Sequence, residues 1–377
     1  MQRAVVIGAG AMGAPAARVL AERGWHVTLV EQFEIANQLG GSGHESRSFR
    51  LSHNDRADVR LAISALELWN DLERRSGETL LIRRGIVQRG SVATTMGAAL
   101  AAEGVQLDEL DHLQVQTLFP ELRAMPEQPA IFQPDGAVLR QAHATLTQVK
   151  LAVAAGAVVH TNEKVVAVNL VGDGARVFTK RRRLDADIVV VCAGPWSLPL
   201  LRPVGIDIPL NAGIVQVNFF ASRHEGWENR PGLMERTTGP GIYGMPEHGR
   251  GYKLGLTETN PSLFWKSGRV RQLDRGAEET LIERVREDFT GLDPTSLAVE
   301  SGPITVTPDE TFVIDRRGPI VVGAGCTGHA AKFSPVLGEL FADLAEGKPL
   351  REEAHRFRLD RPGLVSQGQR GSVHIGA

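Results

Sequence analysis

The chain has 377 residues, enough at about 150 residues per domain for two or three domains and a sizeable core. Hydrophobic residues make up 42% and charged residues 23%, an ordinary globular balance, and the formal net charge of −2 offers no basic field to nucleic acid or an anionic membrane. The two cysteines, Cys192 and Cys326, exclude a disulfide framework and suit a reducing cytoplasm, and no uncharged apolar run reaches the ~18 residues of a membrane span.

Residues 4–7 (AVVI) predict a short buried strand. It runs straight into the glycine motif GAGAMG, so no leader peptide is expected ahead of it. A helix through Glu22 ends at Gly24, and Val27 to Val30 predict a second strand, completing a βαβ opening. Residues 37–44 are glycine-rich and polar, hence a loop. Leu61, Ala65, Leu68 and Leu72 repeat at three and four, which predicts an amphipathic helix over 57–76.

From Ile82 the pattern changes. Short strands at 85–88 and 130–133 flank a helix near 93–103, and a further helix spans 139–155. Strands are expected at 158–160 and 165–170, and Asp187 to Ala193 is a continuous apolar run suited to a strand buried on both faces. Lys180 to Arg183 lies between strand-like stretches and reads as a solvated hairpin turn, not a nucleic-acid site. Residues 210–260 alternate and are rich in glycine, which suggests an antiparallel sheet. A helix at 276–290, a strand at 321–325 entering a glycine loop, and a helix from about Pro335 to Gly347 follow. The last ten or so residues are polar and glycine-rich, and fraying is expected. The interleaving of βαβ-like and antiparallel-looking stretches argues for two domains built from discontinuous segments.

The glycine motif carries the first functional signal. Gly8, Gly10 and Gly13 stand between a strand and a helix; they permit a tight turn, close approach of a pyrophosphate, and close helix–strand packing. With Ala11 and Met12 they open a helix whose N-terminal N–H groups suit phosphates. Glu31 ends the next strand, 18 residues past Gly13, where an acid accepts hydrogen bonds from a ribose and disfavours a 2′-phosphate. The motif indicates a dinucleotide but leaves NAD and FAD both open.

Five later blocks bear on that choice. Gly40 to Arg50 reads GGSGHESRSFR; Val190 to Ser197 reads VVCAGPWS; Tyr252 to Gly255 reads YKLG; Asp309 to Asp315 reads DETFVID; and Gly325 to Pro335 reads GCTGHAAKFSP. Taken in this order, from residue 4 to about 345, they resemble the monomeric sarcosine oxidase and N-methyltryptophan oxidase family, within the larger D-amino-acid oxidase superfamily.

The resemblance implies an α/β fold: a Rossmann-like FAD-binding domain (1–84, 147–205 and 305–377) with an inserted α+β substrate domain (85–146 and 206–304) built on an antiparallel sheet. It implies FAD, its adenosine half on Gly8 to Gly13 and Glu31 with the Val165 backbone at the adenine. Gly194 and Trp196 fall in the block that ends at the family's Gly-x-Trp turn. The flavin ring is expected between the segments Ser42 to Arg47 and Gly325 to Lys332, which include Thr327, Gly328 and His329. A helix starting near Ser334 would turn its positive end to the ring's pyrimidine portion.

The activity implied is oxidation of a secondary amino acid or related carboxylate-bearing amine by hydride transfer to flavin, giving an imine, with reoxidation by O2. By the same resemblance Arg50 and Lys332 clamp the carboxylate, Lys253 promotes the reaction with oxygen, Arg47 lies over the flavin, and Tyr243 is an active-site tyrosine. Both tyrosines are expected near the site. The residue types fit these tasks, since a guanidinium fork binds two carboxylate oxygens and a lysine adds a point charge. An ion-paired Arg50, a solvated Lys253 and a packing Tyr243 remain the plainer alternatives.

Two departures stand out. Where many relatives attach FAD through cysteine, this chain reads Ser301-Gly302-Pro303, so FAD is expected to be non-covalent. Four residues after Lys253, where the family has histidine, stands Thr257; His53 and His329 are possible pocket histidines. Neither nucleic acid, membrane nor metal is expected, and the protein is expected to be a cytoplasmic monomer or homodimer. Other readings are an FAD-dependent dehydrogenase with another electron acceptor, an NAD-dependent dehydrogenase, and a flavin-bound protein without catalytic activity.

Overall fold

The structure is a computed structural model that describes residues 1–237, 239–259, 273–364 and 373–374. The first strand, Arg3–Ile7, lies inside a six-stranded sheet in the order Val313–Arg317, Ile320–Ala324, Ile188–Val191, Arg3–Ile7, His26–Val30, Val158–His160. All its pairings are parallel except the edge pair Val313–Arg317 with Ile320–Ala324. Its central strands are buried on both faces, and alternation sends successive side chains to different layers. Ala4, Val6 and Val190 pack into the layer of helices Gly13–Glu22, Arg56–Ser76, Gln141–Ala154 and Ala330–Ala345. Val5, Ile7, Val189 and Val191 pack against a three-stranded antiparallel meander, Val165–Val171, Gly174–Thr179 and Arg183–Ala186. Lys180 to Arg182 form the turn of that meander, as expected of a solvated hairpin.

A second sheet has eight strands, in the order Leu292–Val306, Asn211–Ser222, Gly251–Leu256, Ile242–Glu247, Gly232–Arg236, Ile86–Gly90, Ala130–Gln133, Asp108–Leu110. Its pairings are antiparallel but for one: Gly232–Arg236 runs parallel to Ile86–Gly90. The two strands are distant in sequence, and no hairpin turn dictates their direction. Helix Arg275–Asp288 covers this sheet through Leu281 and Val285.

Helix Gln141–Ala154 is continuous across 146/147, where a domain boundary was expected, and packs on Gly13–Glu22. The last long helix begins at Ala330, five residues before Pro335, and not near Ser334. Proline there removes the N–H that would otherwise reach the Ala331 carbonyl four residues back. The neighbouring Lys332 carbonyl accepts from Trp69 Nε1 at 2.8 Å. Lys332 therefore belongs to the helix's first turn and not to the glycine loop. The expected C-terminal fraying lies mostly outside the described residues; Val373–His374 pairs with Glu258–Thr259. Among the described residues, no helix is long and apolar enough to cross a membrane.

Candidate active site

Where the six-stranded sheet ends, the glycine motif turns. Gly8 has φ +95°, and a Cβ on Gly13 would fall 1.8 Å from the Gly8 carbonyl oxygen, so both positions require glycine. Glu31 Oε2 accepts from Ala9 N at 2.8 Å and Oε1 from Phe33 N at 3.0 Å. Burial raises its pKa, opposed by those backbone donors. Around this turn opens a cavity lined by Gly8, Gly10, Glu31, Ser42, Val165, Gly194 and Trp196. A cleft lined by Gly10, Ala11, Met12, Ser42, Gly194, Gly325 and Cys326 continues from it.

The cleft leads to a second cavity, on whose wall are Arg47, Arg50, Tyr243, Lys253, Gly328, His329 and Lys332. Gly41 lines all three, and the adjacent Ser42 Oγ accepts from Ala11 N at 2.8 Å. One trough thus runs from the glycine turn to the cluster of charges. Its glycine-lined backbone at one end, acid on the adjoining strand and uncapped helix start at the other suit an elongated dinucleotide. That helix begins at Ala330, next to Gly328, His329 and Ala331 on the wall, so its positive end faces the cavity. Thr327 stands apart: it is fully buried, and its N–H donates to the Thr305 carbonyl, tying the loop to the other sheet.

Strand alternation decides what the second sheet presents. Tyr252 and Leu254 point into an apolar cluster, whereas Lys253, on the other face with Gly255, lines the cavity. Tyr252 therefore does not join the site, contrary to expectation; its hydroxyl donates to the Pro231 carbonyl at 2.9 Å and its ring packs on Phe119. Tyr243 does join it. It pairs with Gly255, where a Cβ would lie 2.5 Å from the tyrosine ring, so the glycine makes room for the ring. Burial pushes the Tyr243 phenol up to about 12.

The charges are placed by different elements. Arg47 sits on the strand Ser46–Phe49 and donates to the carbonyls of Ser46 at 2.8 Å and Gly43 at 2.6 Å. Arg50 and Lys332 are 2% and 5% exposed. Burial brings Arg50 down to about 10 and drives Lys332 well below its ordinary value, with each other's charge adding to the effect at Lys332. The acid that opposes this is Asp58, itself paired with Arg356. Lys253 Nζ donates to the Ser46 carbonyl at 3.0 Å, to Ser46 Oγ and to Glu247 Oε2 at 3.1 Å. Burial lowers Lys253 to about 8, against the pull of Glu247. An apolar stretch of the wall is formed by Ile86, Val215, Val217, Leu233, Met234 and Met245.

Sequence reasoning missed Glu247, Glu300 and His44. Glu300 and His44 line the cavity, and Glu247 stands directly behind Lys253. An acid in the otherwise apolar run Ile242 to Glu247, just before a glycine turn, was the available signal. Two suggested residues stay off the wall. Thr257 bonds Arg236 at 3.3 Å, and His53 is fully buried beside Phe333, its ring nitrogens without a hydrogen-bond partner among the described residues.

Residues 3–344 match the family described as FAD dependent oxidoreductase. The chain belongs to that family. It is an FAD-dependent oxidoreductase acting on CH–NH bonds. It is similar to the monomeric sarcosine oxidase of Bacillus sp. (strain B-0618), 28% identical with 98% of each chain covered. The N-methyl-L-tryptophan oxidase of Escherichia coli is 27% identical, over 95% of this chain and 98% of its own. Among solved structures NikD, an unusual amino acid oxidase essential for nikkomycin biosynthesis, superposes with a TM-score of 0.83 at 24% identity, covering 95% of this chain and 98% of that one. Membership in this family decides between the two dinucleotides in favour of FAD.

Proposed function

We propose that the protein is an oxidase of N-methyl or cyclic secondary amino acids, or related carboxylate-bearing amines, that carry an apolar substituent. The reading rests chiefly on Arg50 and Lys332. These two cations are buried together at the edge of an apolar cavity, and Asp58, the acid that offsets them, is shared with Arg356. An anion entering the cavity restores what burial took from both groups, so a substrate carboxylate is drawn there.

FAD, when bound in the trough, would supply the acceptor for the hydride leaving the carbon next to nitrogen; the amine, losing that hydride and its N–H proton, becomes an imine, and O2 takes up the two electrons and two protons as H2O2. The residues supply the rest. Arg50 and Lys332 fix the carboxylate end and thereby the orientation of the C–H bond. Val215, Val217, Leu233, Met234 and Met245 exclude water and accept the apolar substituent. Tyr243, protonated throughout the physiological range, offers a hydrogen-bond donor to the amine region. Lys253, protonated below about pH 8, places a positive charge where oxygen is reduced. Arg47, fixed by the carbonyls of Gly41, Gly43 and Ser46, adds a second charge beside it. FAD is held non-covalently: the segment Ser301-Gly302-Pro303, where the resemblance would put an attaching cysteine, has none.

The test is spectroscopic. The purified protein should be yellow, and acid precipitation should release its FAD. Anaerobic addition of N-methyl or cyclic amino acids, one at a time, should bleach the colour, and air should restore it. Bleaching without recovery in air would make the protein a dehydrogenase. No bleaching by any carboxylate-bearing amine would overturn the substrate class.

A further inference from the structure

The face of Lys253 turned away from the apolar wall meets a chain of alternating charges. Glu247 Oε2 accepts from Lys253 Nζ at 3.1 Å and from the Ser46 hydroxyl, which itself accepts from Lys253. Glu247 Oε1 accepts from Arg250 Nη1 at 2.9 Å, and Arg250 Nη2 donates to Glu300 Oε1 at 2.7 Å. Glu300 Oε2 lies 2.6 Å from His44 Nδ1, in the loop that leads to Arg47. Arg250 is held from the side by the Phe219 ring, 4.1 Å from its guanidinium carbon.

Three segments are tied together this way: the hairpin Ile242–Leu256, the strand Leu292–Val306 and the loop before Ser46. The arrangement is specific. A lysine in this pocket needs only the Ser46 carbonyl and hydroxyl to be hydrogen-bonded. Glu247 adds a full negative charge in contact with it, at a buried position where such a charge is costly unless used. Burial alone would raise Glu247; Lys253, Ser46 and Arg250 hold it ionised instead.

We propose that Glu247, braced by Arg250 and Glu300, is the positioning residue that keeps Lys253 charged and aimed into the cavity. The inference builds on Lys253 acting there, as in the oxidase reading. Lys253 is faced by Glu247 and Met245 from the neighbouring strand, by Arg47 and Ser46 from the strand Ser46–Phe49, by Glu300 from Leu292–Val306, and by His44 from the loop. Arg47 opposes its charge, and the two glutamates sustain it. Of the two glutamates, only Glu247 touches the ammonium. Its removal leaves burial and Arg47 unopposed except by the more distant Glu300.

The experiment compares the wild-type holoprotein with Glu247→Gln and Glu300→Gln. Lys253 acylation by an amine-directed reagent is followed by mass spectrometry across pH, with exposed Lys348 as internal reference. In E247Q the midpoint for Lys253 should move down by about one unit or more, the usual effect of losing an opposite charge at this range. E300Q should move it the same way by less, and Lys348 should not move. In parallel the holoproteins are photoreduced and mixed with oxygenated buffer, so no amine is needed. Reoxidation should slow as pH rises through about 8 in the wild type, and at correspondingly lower pH in E247Q. Glu247→Asp should recover part of the shift.

Unmoved Lys253 midpoints in both variants would overturn the proposal, even with wild-type reoxidation fast. Slow wild-type reoxidation at every pH, with the midpoints shifted as expected, would leave Glu247's role intact and remove the oxidase reading instead. Should E247Q not fold, E300Q decides by the same measurement.

Discussion

At the scale of the residue, the site is a matter of charge placed in apolar surroundings. Arg50 and Lys332 gain most from a carboxylate because neither is solvated. Arg50→Met should weaken binding of a carboxylate-bearing amine about 10- to 100-fold, the equivalent of about 1.5–3 kcal/mol for a hydrogen bond to a charged group. The methyl ester of the same amine should bind the variant and the wild type alike. Equal losses for acid and ester, measured by anaerobic spectral titration, would refute a carboxylate role. Arg47, Arg50, Tyr243, Lys253 and Lys332 were legible in the sequence, and the structure brings all five to one wall. The family resemblance pointed to all five, and for Lys253 and Lys332 a lysine amid glycine and apolar neighbours was a local sign as well. Glu247 was not legible because its meaning comes from register. It meets Lys253 only because the turn between them sets Met245 opposite Lys253 and leaves Glu247 at the strand end. The two tyrosines make the same point: nine residues apart, they differ in which face of adjacent strands they occupy.

Elements place these residues through close approaches that tolerate little change. Gly255→Ala would put a methyl group 2.5 Å from the Tyr243 ring. The ring must move or the strands must part, an overpacking cost of about 1–3 kcal/mol. Thermal denaturation should fall by several degrees, and substrate affinity should fall with it, since the displaced ring occupies the cavity. An unchanged melting temperature would mean that the ring already has another place to go. The strand Leu292–Val306 is tested by acid. Its Glu300 is held at about 2, chiefly by His44 and then by Arg250. A depressed carboxylate contributes fully above its unfolded value near 4.3 and loses that contribution as pH falls toward 2. Melting temperatures of wild type and Glu300→Gln should therefore differ at pH 6, and the gap should shrink below about pH 4 and close as pH approaches 2; a constant gap across that range would assign the difference to packing. Periodicity located most of these elements but not their ends. It missed the strand Ser46–Phe49, whose sequence SRSF has no apolar alternation and which is a strand because Ala137–Arg140 pairs with it. It started the last helix at a proline that the structure places inside it.

For the whole molecule, the trough is the unit of cooperation. Its walls come from Gly8 at one end of the chain to Lys332 near the other, and from both large sheets. The sheets meet where the Thr327 N–H donates to the Thr305 carbonyl at 2.9 Å, and where Gly41 approaches the Pro303 carbonyl so closely that a Cβ would stand 2.9 Å away. That a parallel βαβ-type sheet and an antiparallel sheet are both present was legible, because continuous apolar runs and alternating stretches follow one another in sequence. How the layers dock was not, because it depends on contacts between segments about 20 to 260 residues apart. A ligand that lies along the whole trough binds only when both sheets are folded and docked. Its binding energy is then shared by both, and it adds RT ln(1 + [L]/Kd) to their common stability, about 4 kcal/mol at a thousandfold excess over Kd. Stripping FAD should therefore lower a single melting transition by several degrees, and adding it back should restore that transition. It should also slow proteolysis in the segment 39–43, part of which lines the trough. Two transitions, of which FAD moves only one, would mean that the ligand is held by the six-stranded sheet alone and that the charged end of the trough assembles without it.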